Sequence, residues 1–316
     1  MSSAGTGQPL VTGATGFAGS HLVDRLLESH PRVHAWSHRT SHGATRDRID
    51  WQQVDLLDRA AVFAAVRAAR PSIVYHCAGL PHVAESWTNS GAALQVNVMG
   101  THHLLDAVAA EAPACRVVVV SSGLVYRASD RALREDDPLG PSEPYGVSKL
   151  GQEMLALKAT TPVVLARAFN HAGPRQQPAF ATSSFARQIA EIEAGLAEPH
   201  LRVGNLDSRR DITDVRDTVR GYEALGARGV NGRAYNICSG QARRVGDLLE
   251  LLLMRARVSI EVRQDPQRLR PSDVPVVLGD PGLAERDTGW RAAIPIEQTM
   301  DDLLEWWRGQ VARRVS

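Results

Sequence analysis

Lysine is almost missing from this chain: of 36 basic residues only Lys149 and Lys158 are lysines, and the other 34 are arginines. A formal net charge of +1 leaves no basic excess for a nucleic-acid stripe or an anionic membrane surface. Cysteine is scarce as well. Cys77, Cys115 and Cys238 show neither CxxC spacing nor an even framework, so they predict reduced, mostly buried thiols in a cytoplasmic protein and point to no metal site. No apolar run approaches the ~20 residues of a membrane span. The first ten residues lack a charged segment followed by a hydrophobic stretch, the mark of a secretory leader. Small-molecule partners are what these absences leave.

What is present is a regular alternation. Short apolar runs at Leu10-Val11, Arg32 to Trp36, Gln53 to Asp55, Ser72 to His76, Arg116 to Val120 and Pro162 to Ala166 alternate with helical patterns. The helices are expected at Phe17 to Leu27, Asp58 to Ala69, Ala92 to Ala110 and Tyr145 to Leu157. Nearly continuous apolar strands separated by helices predict an α/β fold: a Rossmann-type, doubly wound parallel sheet covered on both faces. After Asn170 the rhythm loosens, with helices expected at Ser183 to Gly195 and Val245 to Arg255. A dinucleotide-binding domain over residues 1–170, rejoined by about 212–240, and a smaller, mostly C-terminal substrate-binding lobe over 171–211 and 241–316 follow from that change.

Thr12-Gly13-Ala14-Thr15-Gly16-Phe17-Ala18-Gly19 joins the first strand to the first helix. Glycines there permit a tight turn, close approach of backbone to a pyrophosphate and close helix packing, with the helix N-terminus facing the negative charge. The run lacks the Lys-Ser/Thr pair of an ATP-type loop. Gly13, Thr15, Gly16, Phe17 and Gly19 are therefore expected at a dinucleotide. The second strand ends in Ser37-His38-Arg39, without the acid that would hold a ribose 2′-hydroxyl; Arg39 can pair with a 2′-phosphate. NADP (as NADPH) is expected, with NAD as the alternative. Asp55 and Leu56 are placed to meet the adenine, Asp55 otherwise serving as a turn residue, and Ala78-Gly79 lets the cofactor lie against the backbone.

Tyr145 and Lys149 stand four apart, one helical turn, so phenol and ammonium share a face. A free tyrosine titrates near 10, and a cation beside it favours phenolate; the pair is expected to make Tyr145 the more acidic phenol of an acid/base. Ser122 lies at the carboxyl end of the fifth strand, where parallel sheets place ligands.

The glycine run, this serine and the Tyr145/Lys149 pair, in this order, resemble the extended short-chain dehydrogenase/reductase family over essentially the whole chain. The resemblance implies that Tyr145 is the acid/base, that Ser122 rather than its neighbour Ser121 is the catalytic serine, that Lys149 also grips the nicotinamide ribose, and that Asn97 supports the lysine.

The second half is most similar to the GDP-4-keto-6-deoxymannose reductases and GDP-mannose 4,6-dehydratases. The similarity runs through His82 to Trp87, Arg167 to Pro174, Gly204 to Asp211, Asp265 to Asp273 and Gly289-Trp290. It implies a nucleotide-sugar substrate met by His82, Ser86, Asn170, Arg187, Arg209, Arg210 and Arg270, and a homodimer. Leu124 stands where the dehydratases carry a glutamate, and leucine cannot take a proton, so a 4-ketoreductase is the expectation. Dehydration or epimerisation with a tightly bound cofactor is the alternative, Glu85 or Glu143 then supplying the base. A nucleotide-sensing binding protein on the same fold is a third reading. Tyr126-Arg127 departs from the glycine usual after that tyrosine, which leaves the loop there open.

Overall fold

The apolar runs form the interior strands of a seven-stranded parallel sheet. The computed structural model describes residues 7–38, 47–81, 87–269 and 274–315. Its strands in chain order are β1 Pro9–Thr12, β2 Val33–Ser37, β3 Ile49–Gln53, β4 Ile73–His76, β5 Arg116–Ser122, β6 Val163–Ala168, β7 Asn170–Ala172, β8 His200–Val203, β9 Arg209–Asp214, β10 Ala234–Ile237, β11 Ala242–Arg244, β12 Glu261–Gln264 and β13 Val276–Val277. The main sheet has the order β10-β6-β5-β4-β1-β2-β3. Every pairing in it is parallel.

Alternate residues of each strand feed opposite cores, as a period of two requires. Val11, Val118 and Val164 pack with Leu22, Leu26, Val219 and Tyr222 on one face. Leu10, Val117, Val119 and Leu165 pack with Val62, Val66, Leu104 and Val108 on the other. The chain runs β1-β2-β3 in one direction and returns to β4 on the far side of β1. The carboxyl ends of β1 and β4 thus flank the point where such sheets hold a dinucleotide.

Two elements differ from the sequence reading, and a loop it left open is now defined. The third strand is Ile49–Gln53 rather than Gln53 to Asp55, because it is the sheet's edge, and its half-exposed Asp50 and exposed Gln52 and Gln53 hide it from an apolar-run criterion. The single helix expected at Ala92 to Ala110 is three: Ser90–Leu94, a π-turn at Gln95–Met99, and Gly100–Glu111. There Thr101 Oγ1 donates to the Asn97 carbonyl at 2.6 Å, a side chain bonding the backbone within the turn. The Tyr126-Arg127 step needs no glycine. Tyr126 forms an antiparallel bridge with Leu139, and Arg127 N donates to Pro138 O at 3.0 Å.

Residues beyond β6 build a second layer around β9, which pairs with β7, β11 and β13. Helices Ala181–Glu193, Val245–Leu253 and Ile296–Val315 pack against it through Phe185, Ile189, Leu248, Leu252, Met300 and Leu304. Helix Val215–Arg228 and β10 return to the main sheet, and Asp214 caps that helix by accepting from Arg216 N at 2.8 Å. Phe17 stacks on His171, 5.4 Å apart and 13° from parallel, so the glycine loop and the start of the second layer are in contact. Among the described residues no helix is long and apolar enough to cross a membrane.

Candidate active site

The nucleotide cradle lies between β1 and the helix Phe17–Leu26. Gly13 has φ +65°, open to glycine at little cost, and a Cβ on it would sit 2.8 Å from Ala78 Cα. The turn and the segment just after β4 therefore touch backbone to backbone. The helix begins at Gly16 with no side-chain cap, which leaves its N-terminal amides for an anion. Thr15 is exposed at the rim. These features fit a dinucleotide pyrophosphate. Gly79 closes the floor beside Asn97. Leu56, by contrast, is 9% exposed and packs in the core, and Asp55 accepts from Leu57 N at 2.9 Å, a turn role. Arg39, His82, Ser86 and Arg270 lie outside the described residues.

Helix Pro144–Ala156 starts with proline in its first turn, where a missing N–H costs nothing. It lies close to the end of β5: a Cβ on Gly146 would fall 2.5 Å from Leu124 O. That approach brings Tyr145 to Ser122, and the two side chains are hydrogen-bonded. Ser122 Oγ also accepts from Leu124 N at 3.1 Å, capping the turn Gly123–Val125. Ser121 points elsewhere and donates to Glu153 Oε1 at 2.5 Å. The geometry thus separates the two serines.

Burial pushes the Tyr145 phenol up to about 12, against the Ser122 hydrogen bond, and the Glu143 carboxylate adds to the rise. The sequence reading expected the opposite direction. Lys149 is 5% exposed and its Nζ donates to Val120 O at 2.6 Å, so its charge is spent on the strand backbone and desolvation of the phenol prevails. Burial also lowers Lys149 to about 8. Between pH 8 and its ordinary 10.5 the unfolded chain keeps a proton that the folded chain has lost. Stability relative to Lys149→Met should therefore rise with pH across that window, by about 3 kcal/mol in all. Urea unfolding of both proteins at several pH values measures it; a pH-independent difference would contradict the burial of the charge.

Asn97 is fully buried in the π-turn. Its Nδ2 donates to Ser148 Oγ at 2.9 Å and its Oδ1 accepts from Leu80 N at 2.9 Å. Beneath it lies a polar chain that sequence reasoning missed. Thr101 spends its proton on Asn97 O, so its oxygen accepts from Gln152 Nε2 and His76 Nε2, each at 2.8 Å. His76 is therefore protonated on Nε2, and its Nδ1 accepts from Thr12 Oγ1 at 2.8 Å. Burial lowers this histidine to about 3, so it stays neutral. Also missed was the buried pair Arg167–Glu153, 2.8 Å apart. The position of Glu153, one turn beyond Lys149, was the available signal.

The arginines expected at the substrate are spread out. Arg187 lies on helix Ala181–Glu193, 3.8 Å from Glu191, with its Nε buried and lacking a hydrogen-bond partner. Arg209 and Arg210 are consecutive on β9 and so leave it on opposite faces. Arg210 donates to Arg209 O at 2.9 Å, and Asn170 is exposed at the start of β7. Among the described residues no three His, Cys, Asp or Glu side chains form a metal-binding group.

The GDP-mannose 4,6 dehydratase family profile matches residues 10–303. A GDP-6-deoxy-D-mannose reductase of Pseudomonas aeruginosa is 35% identical over 308 residues, 95% of this chain and 97% of that protein. A GDP-mannose 4,6-dehydratase of Yersinia enterocolitica is 28% identical over 93% of this chain and 92% of its own length. The solved structure of RMD from Pseudomonas aeruginosa complexed with NADPH superposes with a TM-score of 0.84 at 33% identity, covering 96% of this chain and 99% of that one. With its parallel dinucleotide sheet and this matching length, the chain belongs to the GDP-mannose 4,6-dehydratase family, NAD(P)-dependent sugar-nucleotide enzymes of the extended short-chain dehydrogenase/reductase class.

Proposed function

We propose that the protein reduces the C4 ketone of a nucleotide-linked 4-keto-6-deoxyhexose, of the GDP-4-keto-6-deoxymannose type, with NADPH. The observation that carries this reading is a phenol held protonated at neutral pH and hydrogen-bonded to a serine at the carboxyl end of β5. A reduction needs a proton donor at the ketone oxygen, and Tyr145 has the proton to give. The chemistry supplied by a bound nicotinamide is hydride transfer to the ketone carbon. Tyr145 protonates the developing alkoxide, Ser122 donates to the same oxygen, and Lys149, held by the Val120 carbonyl of β5, stands one helical turn from the phenol. Asn97 and Ser148 hold the floor. Gly13, Gly16, Phe17, Gly19, Ala78 and Gly79 hold the cofactor, and Asn170, Arg187 and one or both of Arg209 and Arg210 meet the substrate's charged half.

A second reading has one observation in its favour: Glu143 lies near enough to Tyr145 to raise it, and a carboxylate there could serve as the base of a dehydratase or epimerase. Leu124 at the turn weighs against it. A panel of 4-keto-6-deoxy sugar nucleotides differing in base, followed by NADPH absorbance, decides. Consumption with a keto-sugar supports the reductase; no net turnover together with a co-purified oxidised cofactor supports the second reading.

The division into a cofactor domain, 1–170 with 212–240, and a substrate lobe belongs to the same proposal. So does a homodimer, supported by the exposed Leu94, Met99, Val147, Met154 and Leu157 on and beside two neighbouring helices. A cytoplasmic setting is supported by three free cysteines.

A further inference from the structure

Three side chains of helix Pro144–Ala156 meet the end of β5 one after another. Tyr145 bonds Ser122, Lys149 Nζ donates to Val120 O, and Glu153 Oε1 accepts from Ser121 Oγ. Their spacing, i, i+4 and i+8, puts all three on one helical face. Glu153 is 1% exposed and is held by the fork of Arg167 on β6, Nε to Oε1 at 3.0 Å and Nη2 to Oε2 at 2.8 Å. Arg167 is fixed in turn by Tyr126 Oη at 2.8 Å and Glu135 O at 3.0 Å.

The proposed chemistry does not use a carboxylate two turns from the phenol, and burying one is costly. A neutral side chain could bond Ser121 as well. What a neutral side chain could not supply is charge. Lys149 is faced by the Val120 carbonyl from β5, by His76 at the end of β4 and Cys77 just beyond it, and by Glu153 from its own helix. Asn97 and Ser148 nearby do not titrate, and Tyr222 on helix Val215–Arg228 is held neutral by burial. His76 is neutral, and burial pushes the Cys77 thiol up to about 12. Among the described residues facing Lys149, Glu153 is the one with a full negative charge.

We propose that Glu153 is a positioning residue for the Tyr145/Lys149 pair: locked by Arg167 and Ser121, it fixes the rotation of the helix on β5 and supplies the charge that keeps Lys149 an ammonium. This rests on the reading of those two residues as the reacting pair. Burial lowers Lys149 and Glu153 opposes it, in agreement with the geometry.

The scarcity of lysine makes the test direct. A chain grown with side-chain 13C-lysine and carrying Lys158→Arg has one lysine signal, that of Lys149, whose titration is followed by NMR. Its midpoint is expected near 8. Glu153→Gln should lower it by about one to two pH units, and Glu153→Asp should bring it most of the way back. Because Glu153→Gln leaves Arg167 unpaired, the double variant Glu153→Gln/Arg167→Met is titrated beside it. Thermal stability should recover in the double variant while the Lys149 midpoint stays low, and the alkaline limb of kcat should move with it. A midpoint unchanged in both variants, or restored with stability in the double variant, overturns the proposal. Absence of keto-sugar turnover with the midpoint shifted as expected would instead overturn the catalytic reading alone.

Discussion

Tyr145→Phe should cut kcat for the keto-sugar by about 10²–10⁴-fold while NADPH affinity stays unchanged. The phenylalanine ring occupies the same space at the start of helix Pro144–Ala156, so the cradle of Gly13, Gly16 and Ala78 is untouched. What disappears is the oxygen that bonds Ser122 and that the proposed reaction uses as proton donor. Ser122→Ala should cost less, because the proton remains. The double variant should lose less than the product of the two single losses, since the proposed reaction has both groups serve one oxygen. Stopped assays with NADPH and the keto-sugar, beside fluorescence titration of NADPH, measure the two quantities. Equal loss of binding and turnover in Tyr145→Phe would assign the tyrosine to cofactor binding and remove the acid role.

The second large effect is on stability. Arg167→Met should destabilise the protein by about 3–5 kcal/mol, because it leaves Glu153 buried and charged without its partner. It also removes the donor to Tyr126 Oη and to Glu135 O. For a chain of 316 residues the loss corresponds to a Tm lower by roughly 5–8 °C. Glu153→Gln/Arg167→Met should return most of it. A single variant as stable as the parent would mean that Glu153 takes up a proton at little cost, and calorimetry at two pH values would detect that uptake.

The sheet was legible because its interior strands are buried on both faces. Val117 to Val120 can be nothing else in an alternating chain, and the glycine run marks its own turn. Edge strand β3 was displaced because Asp50, Gln52 and Gln53 obey no apolar rule. The π-turn at Gln95–Met99 was invisible because a helix with one extra residue keeps the composition of a helix. At the site, spacing gave Tyr145 and Lys149 one face and the strand end gave Ser122. Spacing could not give the environment: the phenol rises because the fold closes over it and the lysine turns to Val120. The Arg167–Glu153 pair joins residues 14 apart on a strand and a helix, and no local pattern announces it. Arg209 and Arg210 read as a pair in sequence and diverge on β9.

Strand β10 completes the main sheet by pairing with β6, yet the ribosome makes it only after β7, β8 and β9 have emerged. Until then β6 is a naked margin, its amides and carbonyls free to recruit another nascent chain. Asn236 on β10 is also the acceptor for Tyr126 Oη, at 2.7 Å, so the polar lock around Arg167 is incomplete over the same interval. Synthesis halted between residues 170 and 233 should therefore yield a chaperone-dependent, aggregation-prone fragment, and the margin closes only when residues far along the message are added.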